Sequence, residues 1–379
     1  MKLKPSSSTK IVKFGQLHRQ YTALKVPIDS AIKQTIAESN FIRGPEVESF
    51  ETSFANLINV NHCVSCANGT DALYIAMKSL GVQPGDEVIV PAMTWISTSE
   101  AVSQAGGIPI FCDIDAKTHT IDPNQIESLL SENTVGIVPV HLYGHSADMK
   151  RIMQIADNKN LWVIEDCAQA HLTKFNGKFV GTFGAAATFS FYPGKNLGAM
   201  GDAGAIVTND HALSVSMAKF ARHGGLVKGS HEIEGINSRL DGLQASILNV
   251  KLPYLPDWTK RRRKVAEAYN QAFATINGLH CPTTSQNVDH SWHLYCVQTH
   301  ERSALRDQLM QKGISTSINY PKALHQLPCY EYKSHSDVEF PNATFLSNCG
   351  LCLPLYPELE PDEIEHVIGH VLEFFNAET

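Results

Sequence analysis

The sequence predicts an α/β fold in which helices cover a largely parallel sheet. Short apolar runs alternate with helix-like segments over roughly the first 210 residues, and the runs are apolar on both faces. Strands buried on both sides are typical of parallel sheets, whose connections are helices. The predicted strands are 62–66, 87–91, 108–115, 135–140, 161–166, 186–191 and 205–209.

Start and stop signals predict several of the helices. An amphipathic helix over 28–39 precedes the first strand. A helix over 71–80 follows Asn68-Gly69-Thr70 and ends before Gly81. Asp122-Pro123 opens a later helix, since proline is favoured in a first turn.

The pattern changes near residue 250, where two prolines precede a long amphipathic helix. The remaining segments are predicted as helices over 259–276, 303–313 and 361–375 and strands over 293–299 and 314–320. This is an α+β mixture. We therefore predict a large domain over 1–250, including the N-terminal helix, and a smaller C-terminal α+β domain over 251–379.

Composition limits the function classes. Of the 379 residues, 43% are hydrophobic, which supports a folded core and excludes a disordered chain. The net charge of −7 disfavours a nucleic-acid partner, and the basic run 260–264 is interpreted as the solvated face of a helix. The polar start has no secretory pattern and no run is long enough to span a membrane, so a cytoplasmic protein is expected.

Nine cysteines include two C-x-x-C pairs, Cys63/Cys66 and Cys349/Cys352. The pairs lie far apart in the chain, unlike the pairs of a structural zinc site. We therefore predict no metal and interpret these cysteines as small buried hydrophobic residues.

Asn68-Gly69-Thr70 lies where a strand leads into a helix. Glycine allows close backbone approach, and the first turn of a helix attracts anions, so a phosphate could bind here with help from the Thr70 hydroxyl. The alternative is a helix cap formed by Asn68 or Thr70.

Two further segments place reactive side chains after apolar strands. Asp166 ends the strand 161–166, at the edge where open α/β sheets bind ligands. Its carboxylate could hold a protonated ring nitrogen, and Gln169 follows about one helical turn later. The alternative is that Asp166 caps the next helix. Lys195 follows the strand 186–191 and a turn. A desolvated lysine becomes a nucleophilic amine that suits a Schiff base, whereas an exposed lysine would not.

Trp95 follows another strand end and could cover a flat ring, although tryptophan is often simply part of the core. A phosphate site, an acid for a ring nitrogen, a platform and a Schiff-base lysine together are the set that pyridoxal phosphate requires.

The sequence resembles the DegT/DnrJ/EryC1/StrS sugar aminotransferases, which are fold-type I pyridoxal-phosphate enzymes related to aspartate aminotransferase. The likeness extends over nearly the whole chain. The segments that carry it are FIRGPEVESFE (41–51), CANGTDAL (66–73), GDEVIVPAMTW (85–95), VHLYG (140–144), IEDCAQAH (164–171), FSFYPGKNLGAMGDAGAIVTND (189–210), GINSRLDGLQASIL (235–248) and YPKALHQ (320–326).

The resemblance implies a role for each matching residue. Lys195 would hold the cofactor as a Schiff base and move the proton, while Asp166 would pair with the pyridinium nitrogen. Gln169 would lie near the phenolic oxygen, and Trp95 would stack on the ring. The phosphate would be bound by Gly69, Thr70 and Ser190, and by Asn237 from the neighbouring subunit of a homodimer.

The resemblance also implies the reaction. Lysine, rather than histidine, at position 195 favours transamination over dehydration. The turn SFYPGKNLGAMGDAGA resembles the subgroup that aminates C3 of dTDP-linked 3-keto-6-deoxyhexoses with L-glutamate as donor. Candidate substrate contacts are Tyr192, Tyr320 and His325. The alternatives are C4 amination of a dTDP- or UDP-linked 4-keto sugar, or a non-catalytic pyridoxal-phosphate-binding regulator.

Overall fold

A seven-stranded sheet forms the centre of the molecule in the computed structural model, which describes residues 10–376. Strand β9 is antiparallel to its two neighbours, and the other adjacent pairs are parallel. The predicted α/β class with a largely parallel sheet is confirmed. In spatial order the strands are β1 (His62–Cys66), β9 (Gly204–Thr208), β8 (Ala186–Ser190), β5 (Trp162–Asp166), β4 (Thr134–Ile137), β2 (Glu87–Pro91) and β3 (Ile108–Cys112).

Two smaller sheets accompany it. The first has the order β10 (Val288–Asp289), β6 (Lys174–Phe175), β7 (Lys178–Phe179), and the second pairs β11 (Tyr295–Gln298) with β12 (Gly350–Leu353). Helices connect the successive parallel strands β1 to β5 of the central sheet. The helices are α1 (Leu17–Ala23), α2 (Lys25–Glu38), α3 (Pro45–Ile58), α4 (Gly69–Ser79), α5 (Ser97–Ala105), α6 (Pro123–Ile126), α7 (Met149–Lys159), α8 (His211–Ala221), α9 (Gly242–Lys251), α10 (Leu255–Phe273), α11 (Arg302–Gln311), α12 (Pro341–Cys349) and α13 (Pro361–Asn376).

Side-chain caps explain why several helices begin where they do. In each case an Asn or Asp side chain accepts the backbone N–H group two or three residues on, which satisfies a donor that the helix leaves unpaired. The capping residues are Asn68, Asp122, Asp148, Asp210 and Asp241.

The central sheet is buried on both faces, as its apolar strands predicted. In β2, Ile89 belongs to one apolar cluster, while Val88 and Val90 belong to the cluster on the opposite face. Neighbouring residues of a strand point to opposite faces, so continuous apolar sequence produces two cores. Helices α3 and α9 contribute to the first cluster, and α4 and α5 to the second.

The C-terminal part differs from expectation in two places. Residues 314–320 do not form the predicted strand: Ile314 and Ser317 make only isolated bridges, with Val12 and Cys352. The strand that pairs with β11 is β12, which the sequence pattern did not indicate. A strand of four residues has too little alternation to identify it, and its partner is remote in sequence.

One residue of the basic run 260–264 is not on a solvated face. Arg262 is buried, and its guanidinium donates hydrogen bonds to the carbonyl oxygens of Trp292, His293 and Leu355 at 3.2, 3.2 and 2.9 Å. Burial lowers the pKa of Arg262 to about 10. This part of the prediction was wrong, because α10 packs against the segment 292–293 on one side.

A third apolar cluster lies in the C-terminal part and includes Val12 from the start of the described chain. Arg19 on α1 also forms a bidentate ion pair with Glu363 on α13, at 2.6 and 2.7 Å.

The division into domains at residue 250 stays a prediction. Within residues 10–376 no helix is both long enough and apolar enough to cross a membrane. The prediction that the polar start has no secretory pattern concerns residues 1–9, which lie outside the described range.

Candidate active site

The turn between β1 and α4 lies against the end of β8. Asn68 caps α4 by accepting the Asp71 N–H at 2.8 Å, which confirms the capping alternative for this residue. A Cβ added at Gly69 would lie 2.8 Å from the Cβ of Ser190, so glycine is required for this approach. The contact brings Gly69, Thr70 and Ser190 together beside the N-terminus of α4, an arrangement that suits a phosphate group.

Thr70 has a partner that sequence reasoning missed. Its Oγ1 and the Oγ of Ser97 lie 2.6 Å apart and share a hydrogen bond. Ser97 also donates to Glu100 Oε1 at 3.1 Å. Ser97 is the first residue of α5 and directly follows the segment that carries Trp95, so its position depends on how α5 packs on α4.

Asp166 ends β5 with its carboxylate buried at the edge of the sheet. Oδ1 accepts the backbone N–H of Ala168 at 3.1 Å, and Oδ2 accepts the hydroxyl of Thr98 at 3.0 Å. Burial raises the pKa of Asp166 above its ordinary value, while the Ala168 N–H, the charge of Lys195 and the Thr98 hydroxyl oppose that rise. The structure therefore places a buried carboxylate, bonded through both oxygens, where the sequence predicted one.

Lys195 lies on a turn that leaves β8. Its backbone N–H donates to Tyr192 O at 2.8 Å, and the next turn is closed by a bond from Ala199 N to Phe191 O at 2.8 Å. A Cβ at Gly198 would lie 2.3 Å from Pro193 O, so the chain must fold tightly here. The buried amine of Lys251 donates to Gly198 O at 2.7 Å and so stabilises the turn.

Burial lowers the pKa of Lys195 to about 8, and the negative charge of Asp166 opposes that shift. A lysine with this pKa supplies a substantial fraction of neutral amine near pH 8, whereas an ordinary lysine does so near pH 10.4. Lys195 is thus a desolvated lysine, the alternative that favours a nucleophilic amine.

Gln169 links the sheet edge to two aromatic residues. Its Oε1 accepts the Tyr143 N–H at 2.7 Å, and its Nε2 donates to the Tyr320 hydroxyl at 2.9 Å. The Tyr320 ring lies 5.3 Å from the ring of Trp95. Trp95 is 57% exposed, so its ring is available to cover a flat ligand and is not core packing.

Tyr192 and His325, the other two candidate substrate contacts, differ from each other. Tyr192 is 59% exposed on the Lys195 turn. The ring of His325 stacks on Phe340 at 4.6 Å, and its Nε2 lies 3.1 Å from Asp337 Oδ1. Those contacts are with residues outside the predicted site, so a substrate role for His325 stays a prediction.

Asn237 lies on a segment that runs beside the cap of α4. It forms an antiparallel backbone bridge with Arg222. The next residue, Ser238, donates to Asp71 Oδ2 at 2.7 Å and accepts the Ala67 N–H at 3.0 Å. Its suggested contact is with a second subunit, so this role also stays a prediction.

The residues fit pyridoxal phosphate. A backbone cradle that only glycine permits at Gly69 suits the phosphate. A buried carboxylate at Asp166 suits a protonated ring nitrogen, and a desolvated amine at Lys195 suits an aldehyde. Each chemical part of the cofactor thus has a matching group.

A neighbouring cluster has the composition of a metal site. Among residues 10–376, His141, Glu165 and Cys167 place potential ligand atoms within 4.8 Å of one another. The Glu165 carboxylate already accepts hydrogen bonds from the N–H groups of Gly181, Phe183 and Gly184 at 2.7 to 2.9 Å. Its Oε2 also lies 3.1 Å from His141 Nε2. Burial raises the pKa of the Cys167 thiol, which disfavours the thiolate that metals bind.

Comparison with known proteins gives a consistent result. Residues 23–372 match the model of the DegT/DnrJ/EryC1/StrS aminotransferase family. A "Pleiotropic regulatory protein" of Geobacillus stearothermophilus is 41% identical over 95% of this chain and 97% of its own length. A "dTDP-3-amino-3,4,6-trideoxy-alpha-D-glucose transaminase" of Streptomyces venezuelae is 38% identical, covering 97% of each chain.

A solved structure is similar over the same extent. The crystal structure of S. venezuelae DesV in complex with a ketimine intermediate superposes with a TM-score of 0.95 at 38% identity. The match covers 97% of this chain and 99% of that one.

Proposed function

Because this chain belongs to the DegT/DnrJ/EryC1/StrS family of pyridoxal-phosphate-dependent sugar aminotransferases, we propose that it aminates C3 of a dTDP-linked 3-keto-6-deoxyhexose, with L-glutamate as donor. The observation that carries the proposal is the placement of two groups on neighbouring strands: the desolvated amine of Lys195, on the turn after β8, and the buried carboxylate of Asp166, at the end of β5. Support for C3 comes from the turn around Lys195 and from the S. venezuelae relative, whose name specifies a 3-amino dTDP sugar.

The proposed roles follow from the contacts of each residue. Pyridoxal phosphate, when bound, supplies an electron sink for the carbon that loses its proton. The neutral Nζ of Lys195 accepts a proton from the donor's α-carbon and delivers a proton to C3 of the sugar. Asp166 keeps the ring nitrogen protonated by offering it a negative charge.

The other side chains orient and enclose the ligand. Gly69, Thr70 and Ser190 bind the phosphate, and Ser97 supports the Thr70 hydroxyl. The exposed ring of Trp95 covers one face. Gln169 approaches the phenolic oxygen, and Tyr192 and Tyr320 contact the sugar.

We also propose a homodimer in which Asn237 completes the partner's phosphate site. Exposed apolar residues on segments that adjoin Asn237 in the chain or bridge to its segment support this assembly. Ile42 is 59% exposed and bridges Asp241 on the segment that follows Asn237. Val227, in the loop before Asn237, is 71% exposed. Burying exposed apolar side chains against a second subunit would favour association. All nine cysteines are unpaired, which supports a reducing, cytoplasmic setting.

The proposal is tested by incubating the protein with L-glutamate and a panel of dTDP- and UDP-linked 3-keto and 4-keto sugars. Two-dimensional NMR then locates the new amine. We expect an amine at C3 of a dTDP-linked product and 2-oxoglutarate in equal amount. An amine at C4, or a strong preference for the UDP carrier, would contradict the proposed substrate.

A control separates catalysis from the regulatory alternative, which the name of the G. stearothermophilus relative favours. Lys195→Ala should abolish amine formation, and Lys117→Ala, at a surface lysine, should not change it. Absence of amine formation with every sugar, in protein that binds pyridoxal phosphate, would support a regulator instead.

A further inference from the structure

Thr98 is a buried residue that the roles above do not use. It is the second residue of α5 and is 1% exposed. Its Oγ1 donates to Asp166 Oδ2 at 3.0 Å, across 68 residues of sequence. The contact exists because β2 and β5 end at the same edge of the sheet and α5 begins there.

The hydrogen bonds around Thr98 have one consistent direction. An ionised carboxylate can only accept, so the Thr98 hydroxyl must give its proton to Asp166. Thr94 Oγ1 lies 3.1 Å from Thr98 Oγ1 and therefore donates to it. The chain of donors runs from Thr94 to Thr98 to Asp166, and each bond polarises the next.

The two oxygens of Asp166 have different donors. Oδ1 is bound by the Ala168 N–H at 3.1 Å, which belongs to the same turn, and Oδ2 is bound by Thr98 from another element. Two donors in different directions fix the plane of the carboxylate. Without Thr98, the carboxylate could rotate about its Cβ–Cγ bond.

Thr98 also differs from Lys195, which favours the charged form of Asp166 as well. Lys195 contributes through a positive charge. That charge is present only while the amine is protonated, and a lysine that reacts as a nucleophile has given up its proton. The Thr98 hydroxyl is neutral and stays in place throughout, so its contribution does not depend on the state of Lys195.

We propose that Thr98 is a positioning residue for transamination: its hydroxyl, supported by Thr94, holds the Asp166 carboxylate ionised and in one orientation toward the ring nitrogen. The proposal rests on the role proposed for Asp166. Thr98 itself acts only through that carboxylate.

The test compares Thr98→Val, which removes the hydroxyl but keeps the shape, with Thr98→Ser, which keeps the hydroxyl. In cofactor-free protein, the Asp166 pKa is measured by NMR of ¹³C-labelled aspartate carboxyl groups, with the signal assigned from Asp166→Asn. We expect Thr98→Val to raise the pKa by about one unit, since a hydrogen bond to a charged group contributes about tenfold or more in equilibrium. Thr98→Ser should keep the wild-type value.

The second measurement is the dissociation constant of pyridoxal phosphate, from equilibrium dialysis. Thr98→Val should weaken binding about tenfold, since ionising Asp166 then costs more. Thr259→Val is the matched control, because the Thr259 hydroxyl is also buried on a helix but donates to Leu255 O at 2.9 Å. It should alter neither quantity. If Thr98→Val does not fold, Thr98→Ala removes the same hydroxyl without adding a methyl group beside Asp166.

An unchanged Asp166 pKa in a folded Thr98→Val or Thr98→Ala protein would overturn the proposal. Equal effects of Thr98→Ser and Thr98→Val would overturn it as well, because the serine keeps the donor. Failure of the proposed function is distinguishable: full turnover in Asp166→Asn would remove Asp166 from the mechanism, whatever the pKa measured for Asp166 in the Thr98 variants.

Discussion

At the scale of single residues, burial drives Lys195 and Asp166 toward their neutral forms. It lowers the pKa of the lysine and raises that of the aspartate. The attraction between the two opposite charges opposes both shifts. The proposed roles need a neutral amine at Lys195 and a charged carboxylate at Asp166. Hydrogen bonds from the Ala168 N–H and the Thr98 hydroxyl favour the ionised form of Asp166.

The first prediction concerns the amine of Lys195 in cofactor-free protein. Because its pKa is lowered, the neutral fraction should rise through pH about 8. Brief labelling with acetic anhydride over a pH series, followed by mass spectrometry of the Lys195 peptide, measures this fraction. The labelling rate should reach half its maximum near pH 8. A midpoint near the ordinary lysine value of about 10.4 would show that the amine is not desolvated.

The second prediction concerns Asp166. Asp166→Asn keeps the shape of the side chain but removes the charge that is proposed to hold the ring nitrogen protonated. We expect the rate of amino transfer from glutamate to fall about a hundredfold or more, the range found when a group that stabilises developing charge is lost. Asp257→Asn, at an exposed residue of α10, is the control. A turnover within a factor of a few of wild type would exclude the proposed role.

At the scale of elements, α3 supports the strand that leads to Lys195. Phe54 on α3 is fully buried and makes edge contacts with Phe189 and Phe191, at ring distances of 5.0 and 5.2 Å. Phe50 also packs on Phe191, at 5.1 Å. These aromatic rings pack against the end of β8. The position of the turn that carries Lys195 therefore depends on a helix more than 130 residues earlier in the chain.

The third prediction follows from this packing. Phe54→Ala should destabilise the fold by about 3–5 kcal/mol, because it leaves a cavity among three aromatic rings. Thermal unfolding followed by circular dichroism should show a clearly lower midpoint. Tyr332→Ala removes an aromatic ring that is 71% exposed and should change stability by less than about 0.5 kcal/mol. Equal midpoints for the two variants would contradict the assigned packing.

At the scale of the whole molecule, the two ends of the described chain are joined. Val12 pairs with Ile314, and Arg19 binds Glu363 of α13 through two hydrogen bonds. Burial raises the pKa of Glu363, but the hydrogen bonds from Arg19 and from the Glu360 N–H, together with the positive charge of Arg19, outweigh burial, so the net pKa is lowered. A carboxyl with a lowered pKa in the folded state stabilises the fold above its unfolded pKa, and this contribution is lost as the pH falls through the folded pKa.

The fourth prediction is the pH dependence of this ion pair. Glu363→Gln should lower the thermal midpoint at pH 7, by an amount corresponding to about 1 kcal/mol, since the Arg19 side chain is partly exposed. The difference from wild type should shrink once the pH falls below the ordinary glutamate value of about 4.3, and it should be lost as the pH falls through the lowered pKa of folded Glu363. Glu365→Gln, at an exposed position of the same helix, should have little effect at either pH. A constant difference down to pH about 2 would contradict the assignment.

Local patterns predicted much of the fold. The runs 62–66 and 87–91 coincide with β1 and β2, since short, mainly apolar runs indicate strands wherever both faces are covered. The prediction of a strand over residues 314–320 was wrong: Ile314 and Ser317 make only isolated bridges, and their partners Val12 and Cys352 are distant in the chain. The prediction that Arg262 is solvated was wrong, because a run of charges on a helix does not indicate which residue faces the interior of the protein.

What the sequence by itself determined was the set of reactive groups and their order: the Gly69 turn, Asp166 and Lys195, each at the end of a strand or a few residues after it. Strand ends of a parallel sheet meet at one edge, so order along the chain was enough to bring them together. Only the tertiary structure decided the chemical state of those groups. Desolvation of Lys195 and the bond from Thr98 to Asp166 come from side chains that are remote in sequence, and a one-dimensional pattern does not contain their distances.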